Sequence, residues 1–206
     1  MIQTVAGRLL RRGRVGLLPG TYNPPTMAHV ALGEAAQRRF DLDQVVQIIP
    51  RSLPHKRIAR PTVEDRLEWI AALALLREGW AACACEASLV VDMVDALRRE
   101  VGDACELFVI AGRDAAERYA TWDYGDREAF SDQLKRFTLL VGARGQSYRV
   151  AAEHTGQILP FEIASAHAET SSSLVRSAIA RGESWDHLVP AEIRHFVAAA
   201  YTGGAA

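Results

Sequence analysis

The residues best equipped for chemistry lie in the stretch Gly20-Thr21-Tyr22-Asn23-Pro24-Pro25-Thr26-Met27-Ala28-His29. A glycine turn is followed by two prolines that cannot continue a helix, and then by Thr26, a good N-cap. Ala31, Leu32, Ala35, Ala36 and Phe40 recur at helical spacing after it, which places His29 in the first helical turn. That turn carries unpaired backbone N–H groups and the positive end of the helix dipole. A glycine turn, a helix start and a histidine aimed the same way form a site for phosphate. Thr26 could serve twice, its oxygen accepting at the cap while its proton reaches a phosphate.

A second helix start has the same character. In Ser171-Ser172-Ser173-Leu174-Val175-Arg176 a serine caps the helix, and Arg176 follows Ser172 and Ser173 at the spacing that puts all three on one face. A guanidinium beside hydroxyls and free N–H groups is a clamp for phosphate oxygens. Taken alone, this stretch reads equally well as an ordinary capped helix with a solvated arginine. Its pairing with the first stretch favours a shared anionic ligand. Lys56, in Pro54-His55-Lys56, adds a cation on a basic loop, and Gly112-Arg113-Asp114 adds a turn with a carboxylate. Trp122 follows in a polar segment where an exposed indole could stack on a flat ring.

The elements that must position these groups alternate. Apolar runs at Val15–Leu18, Val45–Ile49, Trp80–Cys85, Leu107–Ala111, Phe137–Val141 and Ile158–Ile163 read as strands. Helical patterns lie between most of them: one opens at the capping-box-like Thr62-Val63-Glu64-Asp65, and another spans about Val91 to Val101 with Ser88 as candidate cap. Two more close the chain, up to about Arg181 and from Pro190 to Tyr201. Alternation of this kind predicts a parallel sheet covered on both faces, which binds ligands at the C-terminal ends of its strands. The loops at 20–29, 51–57 and 112–114 all fall at that edge. Residues 1–14 read as a flexible leader, and 15–206 as a single domain whose C-terminal helical part is 171–206.

Composition narrows the function. The 206 residues carry a formal net charge of −1, which disfavours nucleic acid as a partner. Cys83 and Cys85 would share one strand face as small buried hydrophobes, with no fourth ligand in sight for zinc. No stretch is long and apolar enough to span a bilayer, and a cytoplasmic location follows as the expectation.

The stretch 20–29 resembles the nucleotide-binding turn of the nucleotidyltransferase superfamily, a Gly-Thr-aromatic run, then Pro, then (His or Thr)-x-Gly-His. Thr26 stands at the first histidine position, and Ala28 stands where the signature has glycine. Residues 171–176 are similar to its second signature, Ser-Ser-(Ser or Thr)-x-(Val or Ile)-(Arg or Lys). Further matches appear in the order found in bacterial nicotinate mononucleotide adenylyltransferases. These are Pro54-His55-Lys56, the helix with Arg66, the helix start at Asp92, the strand ending in Gly112-Arg113-Asp114, Thr121-Trp122 and Leu188-Val189-Pro190. That branch commonly has Ser-Tyr-Thr before the Asp92 helix, where this chain has Ser88-Leu89-Val90.

The resemblance implies an α/β, Rossmann-like doubly wound sheet of the nucleotidyltransferase type with a C-terminal helical portion. It implies transfer of AMP from ATP to the phosphate of nicotinate or nicotinamide mononucleotide, with release of pyrophosphate. His29, Lys56 and Arg176 take catalytic roles; Gly20, Thr21, Tyr22, Thr26, Gly112, Asp114, Ser172 and Ser173 bind ATP and its phosphates; Asn23, Ser88 and Trp122 bind the acceptor. Mg²⁺ would be held mainly through ATP phosphates, and homo-oligomerisation stays open. Phosphopantetheine adenylyltransferases share the threonine before x-Gly-His and remain an alternative, as do a cytidylyltransferase and a nucleotide-binding regulator without turnover.

Overall fold

The apolar runs do pair into one sheet. In the computed structural model, which describes residues 1–53, 58, 60–143, 148–163 and 170–202, seven strands are found among those residues. They are β1 (Ile2–Ala6), β2 (Gly13–Pro19), β3 (Gln44–Pro50), β4 (Trp80–Cys85), β5 (Cys105–Gly112), β6 (Thr138–Ala143) and β7 (Ile158–Glu162). Their order is β1-β4-β3-β2-β5-β6-β7, parallel throughout except for β1 against β4. The helices are α1 (Met27–Arg39), α2 (Val63–Leu75), α3 (Val90–Val101), α4 (Arg113–Thr121), α5 (Phe130–Gln133), α6 (Ser172–Arg181) and α7 (Arg194–Thr202).

Both faces of the sheet are covered, which is why its strands read as continuous apolar runs rather than alternating ones. Val46 and Ile48 of β3 pack on one side with Val94 and Leu97 of α3, Ala116 of α4 and Phe130 of α5. Val45 and Ile49 pack on the other with Leu32 and Ala36 of α1 and Leu67 and Ile70 of α2. A third cluster joins the C-terminal helices to this second layer: Val30, Trp69 and Leu73 meet Val175, Val189, Ile193 and Val197. Each valine, leucine, isoleucine or phenylalanine among them, fully buried, contributes about 1.5–3 kcal/mol. The approach of α1 to the sheet is close. A Cβ on Gly33 would lie 2.6 Å from the Trp80 ring, and one on Gly142 would lie 2.4 Å from Leu32. These contacts fix the height of α1, and with it the position of His29.

The expected flexible leader over 1–14 is instead part of the sheet. Ile2 to Ala6 run antiparallel along β4, from Ile2 opposite Cys85 to Ala6 opposite Ala82. Gly7, at φ 73°, then turns the chain so closely over β4 that a Cβ there would meet the Trp80 carbonyl oxygen at 2.7 Å. The next residues are tied down by buried Gln44, whose amide donates to the Arg8 carbonyl at 2.9 Å and accepts from Leu10 N–H at 3.1 Å. Only Ile2 and Ala6 of β1 are buried, so the segment lacks the two-residue alternation that marks a strand.

The helix caps agree with the sequence in one case and differ in another. Thr62 and Asp65 form the expected capping box, with Thr62 N–H to Asp65 Oδ2 at 2.7 Å and Asp65 N–H to Thr62 Oγ1 at 3.1 Å. Helix α3, however, is capped in position by Leu89, with no side-chain cap bond, so Ser88 is not its cap. Cys83, Cys85 and Cys105 are free and buried, and burial pushes the Cys83 thiol up to about 11. No described helix is long and apolar enough to cross a membrane.

Candidate active site

The order in which successive strands are added reverses between the parallel neighbours β2 and β5. The chain leaves β2 for α1 on one face and leaves β5 for α4 on the other, so a crevice opens between the two exits at the C-terminal edge. The 20–29 turn forms one wall of this crevice. Gly112, at the end of β5 and the N-cap of α4, stands at the other, where an added Cβ would meet nothing within 4 Å. Asp114 is exposed in the first turn of α4.

Tyr22 organises the turn from beneath. It takes a positive φ of 47°, and its O–H donates to the Leu18 carbonyl at 2.7 Å. Gly20 must lack a side chain because a Cβ there would press within 2.9 Å of the Tyr22 ring. The same ring lies 5.1 Å from the imidazole of His29. Burial drives the Tyr22 phenol strongly upward, so it remains a neutral donor.

His29 is oriented by Thr26. Its Nδ1 accepts the Thr26 backbone N–H at 3.1 Å, and the Thr26 hydroxyl lies 2.7 Å from the same nitrogen. A backbone N–H can only donate, so Nδ1 is the acceptor and the neutral ring carries its proton on Nε2. Thr26 and Tyr22, both expected at the phosphates, are fully buried, and their side chains pack against the His29 imidazole.

The second helix start meets the first directly. Ser172 Oγ donates to the Pro24 carbonyl at 2.7 Å, and Arg176 Nη1 donates to the Asn23 carbonyl at 2.7 Å. Arg176 Nη2 also donates to Ser173 Oγ at 3.1 Å, confirming the shared face. Ser171 is the N-cap, accepting from Leu174 N–H at 3.1 Å. So the two segments that looked anion-binding are joined in one structure. Neither α1 nor α6 has an acidic residue in its first turn, whereas α2 carries Glu64 and Asp65, α3 carries Asp92 and α4 carries Asp114. The two helix starts that meet therefore carry no carboxylate of their own first turns to offset their dipoles.

The remaining candidates lie further along the rim. Thr21 is half-buried, with its carbonyl accepting from Arg66 Nη1 at 2.8 Å. Ser88 is half-buried between β4 and α3, and Trp122, 42% exposed, ends α4. The loops bearing these two are drawn together by Arg127, which grips both carboxylate oxygens of Asp92 in α3, one of them at 2.9 Å. Lys56 lies outside the described residues.

A family model described as cytidylyltransferase-like matches residues 17–178. The chain belongs to the cytidylyltransferase-like family. Within reach of this cytidylyltransferase-like protein is a relative from Bordetella pertussis, 30% identical over 90% of this chain and 95% of its own length. A relative from Treponema pallidum strain Nichols is 28% identical over 90% of this chain and 97% of its own. Both carry the name probable nicotinate-nucleotide adenylyltransferase. Among solved structures, the nicotinic acid mononucleotide adenylyltransferase of Plasmodium falciparum in complex with NaAD superposes with a TM-score of 0.71. That superposition covers 90% of this chain and 95% of the other at 13% identity, so it speaks to the fold.

Two residues that support the site were given no role by the sequence, Arg66 having entered only as part of the family pattern. Arg66 is only 2% exposed and spans from the Thr62 carbonyl, at 3.0 Å from Nε, to the Thr21 carbonyl. Its signal was an arginine on the otherwise apolar face of α2, beside Leu67, Trp69, Ile70 and Leu73. Tyr201 of α7 donates its hydroxyl to Asn23 Oδ1, and no local pattern announces it.

Proposed function

We propose that this cytidylyltransferase-like protein transfers AMP from ATP to the phosphate of nicotinate or nicotinamide mononucleotide, releasing pyrophosphate in NAD biosynthesis. One observation carries the reading: two helix starts without acidic residues in their first turns meet at a turn where Thr26 fixes the His29 imidazole through Nδ1, leaving its proton on Nε2. Such an arrangement suits a chain of phosphates better than a single anion.

The chemistry asks little more of the protein. A phosphate monoester is largely dianionic near neutral pH and needs no strong base to attack the α-phosphorus. Rate enhancement comes from alignment and from neutralising charge that grows on the α-phosphate and on departing pyrophosphate. His29 donates from Nε2 to α- or β-phosphate oxygens. The N–H groups at the start of α6, with Ser172, Ser173 and the remaining guanidinium donors of Arg176, hold the β- and γ-phosphates. Gly20 and Thr21 shape the wall of the phosphate channel, and Gly112 and Asp114 face the nucleotide from the opposite wall. Lys56 positions the attacking phosphate, while Asn23, Ser88 and Trp122 hold the acceptor.

Among the described residues no three His, Cys, Asp or Glu side chains converge as a metal site, and Asp114 is a lone exposed carboxylate on the rim. This donor set suits Mg²⁺ held mainly by phosphate oxygens and water, where it would supply further charge neutralisation. A cytoplasmic location fits these proposed substrates. A homo-oligomer is compatible with the reading.

Pyrophosphate release from ATP or CTP, measured with nicotinate mononucleotide, nicotinamide mononucleotide and phosphopantetheine in turn, tests the proposal. Release with ATP and one of the two pyridine mononucleotides is the expected result. Release only with phosphopantetheine, only with CTP, or ATP binding without release for any acceptor would overturn it.

A further inference from the structure

Asn23 sits in the signature turn, 5% exposed, and its polar atoms are divided between two partners from the C-terminal helices. Its backbone carbonyl accepts from Arg176 Nη1 at 2.7 Å, and its side-chain Oδ1 accepts from the Tyr201 hydroxyl. Tyr201 is itself anchored, its ring tilted against Trp69 of α2 with centroids 6.3 Å apart. Among the described residues the side-chain nitrogen of Asn23 has no hydrogen-bond partner, so its two N–H donors are not spent on the described protein groups around it.

An amide can present either end to a neighbour, and the surroundings of Tyr201 decide which. The guanidinium groups of Arg66 and Arg176 both act on the phenol oxygen. Two cations favour its lone pairs on their side and turn its proton away from them, toward an acceptor. Burial raises the phenol well above its ordinary range, so the proton stays in place. An Asn23 amide that accepts from Tyr201 through Oδ1 directs its N–H₂ away from Tyr201.

We infer that Tyr201 is a positioning residue: its hydroxyl locks the Asn23 amide so that Nδ2 donates to the phosphorylated acceptor. This rests on the adenylyl-transfer reading above and assigns the chain's last described helix a part in acceptor recognition. The C-terminal helices thus set the donor pattern of a turn at the other end of the sequence.

Tyr201→Phe keeps the ring against Trp69 and removes only the hydroxyl. Its KM for the pyridine mononucleotide is expected to rise about tenfold, the scale of one hydrogen bond, while KM for ATP stays within about twofold and the melting temperature is unchanged. Asn23→Asp still accepts from Tyr201 but loses the N–H₂ and gains a negative charge, so acceptor KM should rise further. Adding Tyr201→Phe to it should then change little. An unchanged acceptor KM in Tyr201→Phe, or an equal rise for both substrates, would overturn the inference. A wild-type protein inactive with every acceptor would instead overturn the functional reading. In that case the side-chain amide signals of Asn23, identified by their loss in Asn23→Asp, remain decisive in the free protein. They should shift in Tyr201→Phe, and an unmoved pair would reject the lock.

Discussion

His29 is held for one task. With Nδ1 accepting twice from Thr26, the ring can offer only its Nε2 proton to a ligand. His29→Ala should therefore lower turnover by a hundredfold or more, about 3 kcal/mol, with an unchanged melting curve. Thr26→Val tests the support separately. It keeps the backbone N–H bond but deletes the hydroxyl 2.7 Å from Nδ1, so turnover should fall about tenfold while substrate affinities hold. Equal activity in Thr26→Val and wild type would show that the backbone bond suffices. At this scale the glycine, prolines and histidine of the turn were legible because each has a conformational or chemical reason to stand there. The direction of the Thr26 proton was not, since a hydroxyl beside a helix start can serve a cap, a ring or a ligand equally well. The roles of Arg66 and Tyr201 were illegible for a different reason. Arg66 donates to backbone carbonyls, which every residue has, and Tyr201 reaches Asn23 only because the fold brings chain ends together.

The helices divide by their first turns. Those of α2, α3, α4 and α5 contain carboxylates that offset the dipole, and those of α1, α6 and α7 do not; of these, α1 and α6 meet at the 20–29 turn. Stability and function should then oppose one another at α6. Ser173→Asp, at an exposed position in that turn, should stabilise the helix by about 0.3–1 kcal/mol while lowering kcat/KM for ATP at least tenfold. A variant that gains stability and keeps its ATP efficiency would separate α6 from the phosphates. The strands from β2 to β6 were readable as elements because burial on both faces leaves continuous apolar runs. Edge strand β1 was not, because its three central residues face solvent and its pairing is set by β4 rather than by its own pattern.

Across the whole molecule, the sheet order places the β2 and β5 exits side by side, and the third core cluster welds α6 and α7 onto α1 and α2. The site is therefore a product of the assembled core, and loss of the core should remove it. The buried thiol of Cys83 gives one handle on that core. Its pKa rises from the ordinary 9.0 to about 11 in the fold, chiefly through burial, so the folded chain keeps a proton that the unfolded chain releases. The folded state binds more protons in that window, and stability should be level below pH about 9 and fall as pH climbs toward about 11. Tyr119, raised from 10.0 to about 12, acts in the same direction at higher pH. Urea midpoints across this range give the check, and Cys83→Ala should flatten the lower part of the decline. A midpoint that holds steady from pH about 9 to about 11 would argue against a sealed core around β4.

The most direct measurement is a crystal structure with a non-hydrolysable ATP analogue. The triphosphate is expected between the two helix starts, with His29 Nε2 and the Ser173 backbone N–H each within about 3.2 Å of oxygens on the same analogue. A triphosphate bound elsewhere, or touching only one of the two, would contradict the claim that both helix starts serve a single nucleotide.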